Sequence, residues 1–153
     1  MSNIDNLLYT TNDNGANIAP DDLRFVLPIM DDISPRVILE IGTYRGGSAR
    51  LWQTLFRPDV LITLDTDKFA DLDDLPGVRY LHDAPSQHQR TVEQVRAILN
   101  GRKVDLLFID GGHLYDEVKA PLFGIGAGAS ETGDGRHNDC RIDLSEDFIA
   151  QPG

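Results

Sequence analysis

Apolar residues along this chain fall into short continuous runs that alternate with stretches of helical spacing. Arg36 to Ile41, Val60 to Leu64, Val78 to Leu81 and Val104 to Ile109 read as strands, the last broken only by Asp105 and suited to a parallel strand covered on both faces. Between them, Leu23, Val26, Leu27, Met30 and Ile33 lie on one helical face behind Pro20, Asp21 and Asp22. Pro28 interrupts that face, so a kink or two short pieces are expected. A second helix is predicted from about Gly46 to Phe56, burying Leu51, Trp52, Leu55 and Phe56 until Pro58 stops it. A third runs from Thr91 to Leu99 on Val92, Val95, Ile98 and Leu99, with Asn100-Gly101 as its stop. Strands separated by helices predict an α/β, Rossmann-like, doubly wound and mostly parallel sheet.

The ends of the chain differ in character. Residues 1–17 read as a loose polar tail, and residues 18–122 as the cofactor-binding domain. Residues 123–153 form a Gly- and Asp-rich segment, divergent or disordered, in which only Cys140 to Leu144 alternates like a strand.

Composition narrows the classes of function. A chain of 153 residues suits a single domain with a true core. Its net charge of −11, with lysine only at 68, 103 and 119, argues against nucleic acid and anionic membrane surfaces as partners. The single cysteine, Cys140, forms no internal disulfide, and Met1 to Asp5 lacks the features of a signal peptide. With no apolar run near the roughly 20 residues that span a bilayer, the expected protein is soluble and cytoplasmic.

The richest segment is Val37 to Ser48, an apolar strand carrying Glu40, then a glycine turn, then a helix start. Glycines admit a ligand close to the backbone, and helix-start N–H groups donate to a carboxylate or phosphate. A dinucleotide fingerprint needs a glycine where Tyr44 stands, which disfavours a nicotinamide cofactor. A Walker loop needs a lysine that Gly46-Gly47-Ser48 lacks. Asp65, closing the second strand roughly 20 residues beyond the turn, stands where a carboxylate accepts ribose hydroxyls, and Asp67 is placed to share or replace that role. Glu40 either orients the turn by accepting backbone N–H bonds or holds a ligand ammonium through water.

The segment Glu40-Ile41-Gly42-Thr43 with Gly46-Gly47-Ser48 resembles the first motif of class I S-adenosylmethionine-dependent methyltransferases. The form is similar to the small-molecule O-methyltransferase branch that includes macrocin-type and cephalosporin-hydroxylase-like proteins. A second stretch, Phe108 to Lys119, resembles that branch's D-G-x-H-x-Y-x-x-V-x-x-D signature at Asp110, His113, Tyr115 and Val118, with Pro121 breaking the pattern near its end.

The resemblance covers about residues 20–122 and implies S-adenosyl-L-methionine as cofactor, with Glu40, Gly42, Thr43, Gly46, Gly47, Ser48 and Asp65 around it. It also implies Asp83 as the adenine contact with Ala84 as its neighbour; the competing reading makes Asp83 or Ser86 a cap of the next helix. The partner implied is a small-molecule acceptor methylated on a hydroxyl.

His113 is the candidate general base, since an imidazole ordinarily titrates at about 6.5, or else a helix-start residue bonded to the backbone. Asp110 is a second catalytic candidate and an alternative ligand for Mg²⁺, although one Asp-x-x-His does not define a metal site. His82, His88 and His137 read as surface residues.

Residues 123–153 are too few and too polar for the remaining strands of a complete methyltransferase sheet, so the sheet is expected to be incomplete after the fourth strand. A truncated or frame-altered product, a degenerate relative, or a chain completed by a partner would each account for that. An uncovered sheet edge favours self-association into a homo-oligomer. The alternative to an enzyme is a catalytically inactive module that binds the donor or forms interfaces.

Overall fold

A computed structural model of the chain describes residues 15–110 other than Asn17. The described residues form three helices and four strands in the order α1 (Pro20–Ile33), β1 (Val37–Ile41), α2 (Gly47–Phe56), β2 (Val60–Leu64), β3 (Val78–Leu81), α3 (Gln89–Leu99) and β4 (Leu106–Ile109), with a loop in place of a helix between β2 and β3. The sheet order is β3-β2-β1-β4, and each pairing is parallel. The chain steps outward from β1 through β2 to β3 and then returns to β1's other side, which makes the β1/β4 junction the point where strand order reverses. Open α/β sheets bind ligands at that place, beyond the carboxyl ends of the strands.

Side-chain alternation divides the core in two. Val37, Leu39, Ile41, Val60, Ile62 and Leu64 pack on one face with Val95 and Leu99 of α3. Ile38, Leu61 and Val78 pack on the other with Leu23 and Met30 of α1 and Leu51 and Trp52 of α2. The period-two runs of β1 and β2 are thus covered on both faces, and every residue in them is buried. The expected doubly wound α/β, Rossmann-like sheet is present. No helix among the described residues is long and apolar enough to cross a membrane.

Three local expectations need correction. Helix α1 continues through Pro28 as one element rather than two short pieces, with Pro28 on its exposed face. Ile33 turns away from the core and is 50% exposed, aligned with the exposed Phe25 and Ile29 at four-residue steps. Strand β4 begins at Leu106 rather than Val104: Asp105, whose N–H still donates to Val37 O (2.9 Å), uses its carboxylate to accept hydrogen bonds from the backbone N–H groups of Arg36 (2.8 Å) and Val37 (2.9 Å). Its four residues are half-buried, since among the described residues β4 pairs only with β1.

Helix α3 starts two residues earlier than the sequence predicts and ends at Leu99, capped by Asn100 in the left-handed conformation expected of a stop. Leu55 and Phe56, at the end of α2, are only partly buried. The tail before residue 15, Cys140 to Leu144, and the end of the sheet lie outside the described residues.

Candidate functional site

Parallel strands deliver their carboxyl ends to one edge, and extra rungs carry the pairing past the strands themselves. The N–H of Gly42 donates to Leu64 O (2.9 Å), Asp65 N–H to Leu81 O (3.0 Å), Ala84 N–H to Asp65 O (2.9 Å), and Asp110 N–H to Ile41 O (2.9 Å). Residues separated widely in sequence, Gly42, Asp65, Ala84 and Asp110, therefore stand side by side along that edge.

The glycine turn is closed by Gly46 N–H donating to Thr43 O (2.8 Å). Tyr44, at φ 45°, sends its N–H to the half-buried Asp65 carboxylate at 2.7 Å. The carboxylate expected at a ribose is thus tied directly to the turn. Thr66 Oγ1 lies within reach of both Asp65 (3.4 Å) and the exposed Asp67 (3.1 Å). Beside them Tyr44 is 43% exposed and its ring meets Phe69 at 5.8 Å, with the Arg45 guanidinium over the ring, 5.3 Å from its centroid.

Two glycines serve close packing within the protein. Gly46 has φ +77°, and a Cβ there would meet Leu72 Cδ2 at 2.5 Å. A Cβ on Gly47 would come within 2.3 Å of Ala16 N, so the strand of backbone at Gly15 and Ala16 crosses the start of α2 only because no side chain intervenes. Leu72 belongs to the loop before β3, which Arg50 pins to α2 through Asp74 (3.0 and 3.1 Å) and Asp71 O (2.9 Å). Arg50's hydrogen bond holds the exposed Asp74 carboxyl below its ordinary range.

Beneath the turn lies a polar cluster within an apolar face. Glu40 is fully buried; its Oε2 accepts the Trp52 indole N–H (2.8 Å) and its Oε1 the Thr63 hydroxyl (2.7 Å). Thr63 Oγ1 is also 2.7 Å from Thr43 Oγ1. Burial pushes the Glu40 carboxyl up to about 7; the hydroxyls of Thr63 and Ser48 and the Trp52 indole pull it down, and the negative charge of Asp110 adds to the rise. Of the two roles expected for Glu40, acceptance of turn N–H bonds is not what this arrangement shows: its partners are side chains, because its side chain points to the α2 face while turn amides at 42, 44 and 46 are engaged elsewhere. Ser48 is likewise turned inward, at 4% exposure.

At the end of β3, Asp83 (φ 51°) holds His82 Nδ1 at 2.8 Å, and both side chains are exposed. Neither Asp83 nor Ser86 caps α3: the N-cap is His88, with no side-chain cap bond. Ala84 is packed in the core. A cleft of about 480 Å³ opens here, lined by Tyr80, His82, Asp83, His88 and Arg90.

Asp110 is exposed beyond β4. Among the described residues no group of three or more His, Cys, Asp or Glu side chains is placed to hold a metal ion. His113, Tyr115 and Val118 lie outside the described residues.

The roles of Thr63 and Trp52 as partners of Glu40 escaped the reading of the sequence. The signal was present: a lone hydroxyl in the apolar run of β2, an indole N–H in a buried helix face, and a buried glutamate that needs donors.

No curated protein matches the chain. The model of a family described as a methyltransferase domain does match, over residues 39–127. That span starts inside β1, later than the resemblance read from the sequence, and takes in the glycine turn, Asp65, Asp83 and Asp110. Covering more than half of the chain, and coinciding with the strands whose carboxyl ends form this edge, the match establishes that the protein belongs to the methyltransferase domain family.

Proposed function

We propose that this protein is an S-adenosylmethionine-dependent methyltransferase acting on a hydroxyl of a small molecule. The observation that carries the reading is Asp65, a half-buried carboxylate at the carboxyl end of β2, bonded to the N–H of Tyr44 in the glycine turn. A carboxylate there accepts the vicinal hydroxyls of a ribose. The donor fits the chemistry of the edge: Gly42 and Thr43 lie at its amino-acid end, Asp65 at the sugar, and Asp83 with its adjoining cleft at the adenine. Glu40, Gly46, Gly47, Ser48 and Ala84 then support the site from within. We assign the cofactor domain to residues 18–122, flanked by 1–17 and 123–153.

The donor supplies a methyl group on a sulfonium, and the protein's task is alignment and removal of the acceptor's proton. His113 is assigned as the base, with Asp110 at the acceptor side of the switch point. The opposing reading, a module that binds the donor without turnover, predicts saturable binding and no product on any panel of phenols, catechols and sugars.

Calorimetry with S-adenosylmethionine tests the reading directly. Asp65→Ala is expected to weaken binding by about 1–3 kcal/mol, the cost of leaving hydroxyl donors unpaired. Unchanged affinity would remove Asp65 from the site, and saturable heat with NAD but none with S-adenosylmethionine would overturn the assignment. His113→Ala is expected to slow turnover by about 10² or more with donor affinity nearly intact. Equal losses in both would make His113 structural.

A further inference from the structure

We propose that Thr63 and Trp52 are positioning residues for donor binding: they fix the Glu40 carboxylate and, through Thr43, set the conformation of the glycine turn. This rests on the donor-binding reading above, to which it adds residues outside the family motif.

Hydrogen counting gives the cluster a direction. Above about pH 7, where Glu40 is ionised, the carboxylate has no hydrogen to give, so the single hydrogen of the Thr63 hydroxyl goes to Oε1 (2.7 Å). The Thr63–Thr43 contact, also 2.7 Å, must then run from Thr43 as donor to Thr63 as acceptor. Thr43, 1% exposed, is held by its side chain from below, while its carbonyl accepts the N–H of Gly46 (2.8 Å). The next residue, Tyr44, gives its N–H to Asp65 (2.7 Å). A continuous set of bonds therefore runs from the Trp52 indole through Glu40, Thr63 and Thr43 into the turn, and from the turn to the carboxylate at the ribose position.

The side-chain links among Trp52, Glu40, Thr63 and Thr43 are buried, so a hydrogen bond missing there is not replaced by water. The register of the sheet keeps the cluster in place, since Glu40 and Thr63 are paired residues of β1 and β2. Thr63→Val preserves shape but leaves Glu40 short of a donor and Thr43 without an acceptor. Thr63→Ser restores both.

The test compares Thr63→Val with Thr63→Ser in the full chain, by calorimetry with S-adenosylmethionine and by amide hydrogen exchange. Thr63→Val is expected to bind the donor about tenfold more weakly, with Thr63→Ser close to the unaltered protein. Exchange at the Tyr44 and Gly46 amides is expected to quicken about tenfold in Thr63→Val, while amides of β2 and β3 keep their protection. Should Thr63→Val not fold, Thr43→Val against Thr43→Ser puts the same question to the exchange of those amides, since the donors to Glu40 remain. Equal affinity and equal turn protection in the valine and serine variants would overturn the inference. If the unaltered protein binds no donor, the functional reading fails, and turn protection alone decides whether this network holds the turn.

Discussion

Trp52→Ala is expected to remove about 3–5 kcal/mol of stability through lost burial and the cavity left behind. Trp52 is wholly buried, stacked on Phe56 (6.2 Å, 18°) and edge-on to Phe108 (5.1 Å, 67°), so its ring joins α2 to β4. The change also takes a donor from the buried Glu40 carboxylate, which adds about 1–3 kcal/mol. Against a total of about 5–15 kcal/mol for an ordinary domain, the variant should stand near its folding threshold. Trp52→Phe separates the two contributions, because it keeps an aromatic ring and loses the N–H. Trp52 is the sole tryptophan of the chain, so chemical denaturation should be followed by circular dichroism. A loss in Trp52→Ala of less than about 1 kcal/mol would contradict the packing described for this face.

The second large effect concerns Glu40 and pH. Burial raises its carboxyl from the usual 4.5 to about 7. Between those values the folded protein holds a proton that the unfolded chain has released, so stability falls as pH rises across the window. The contribution is largest below pH 4.5, and above about 7 the full penalty of the buried charge is present, up to about 3 kcal/mol. Glu40→Gln keeps the shape: its carbonyl accepts from Trp52, its amide donates to Thr63, and the Thr63 hydrogen turns toward Thr43. The variant is therefore expected to gain stability relative to the unaltered protein between pH 5 and pH 8. Taking the difference between the two proteins at each pH cancels the remaining carboxylates. Parallel stability curves would show that Glu40 does not titrate in this range.

Much of the framework was legible in one dimension because local rules and tertiary packing agree there. The run Val60–Leu64, bounded by Pro58 and Asp65, became β2 without a residue's error. Helix α3 lies where the 3.6-residue period of Val92, Val95 and Leu99 placed it. The glycine turn and Asp65 were found from spacing, since a strand end followed by glycines leaves few local conformations. Where local rules met competition from outside the segment, they failed. Proline normally breaks a helix, yet α1 tolerates Pro28 on its wet face. An aspartate in an apolar run reads as part of the strand, yet Asp105 is worth more to the sheet as an acceptor for two amides of a segment 68 and 69 residues away.

The sequence by itself determined an α/β chain of parallel strands, a glycine turn after β1 and a carboxylate after β2, because these depend on periodicity and turn chemistry within short windows. Only the tertiary structure decided what Glu40 bonds to, why Gly46 and Gly47 lack side chains, and which residues hold the turn beneath the surface. Those answers depend on Trp52, Thr63, Leu72 and Ala16, which reach the site from four separate segments. Hydrogen-bond direction and steric exclusion act through space, and no spacing along one strand encodes which distant side chain will arrive.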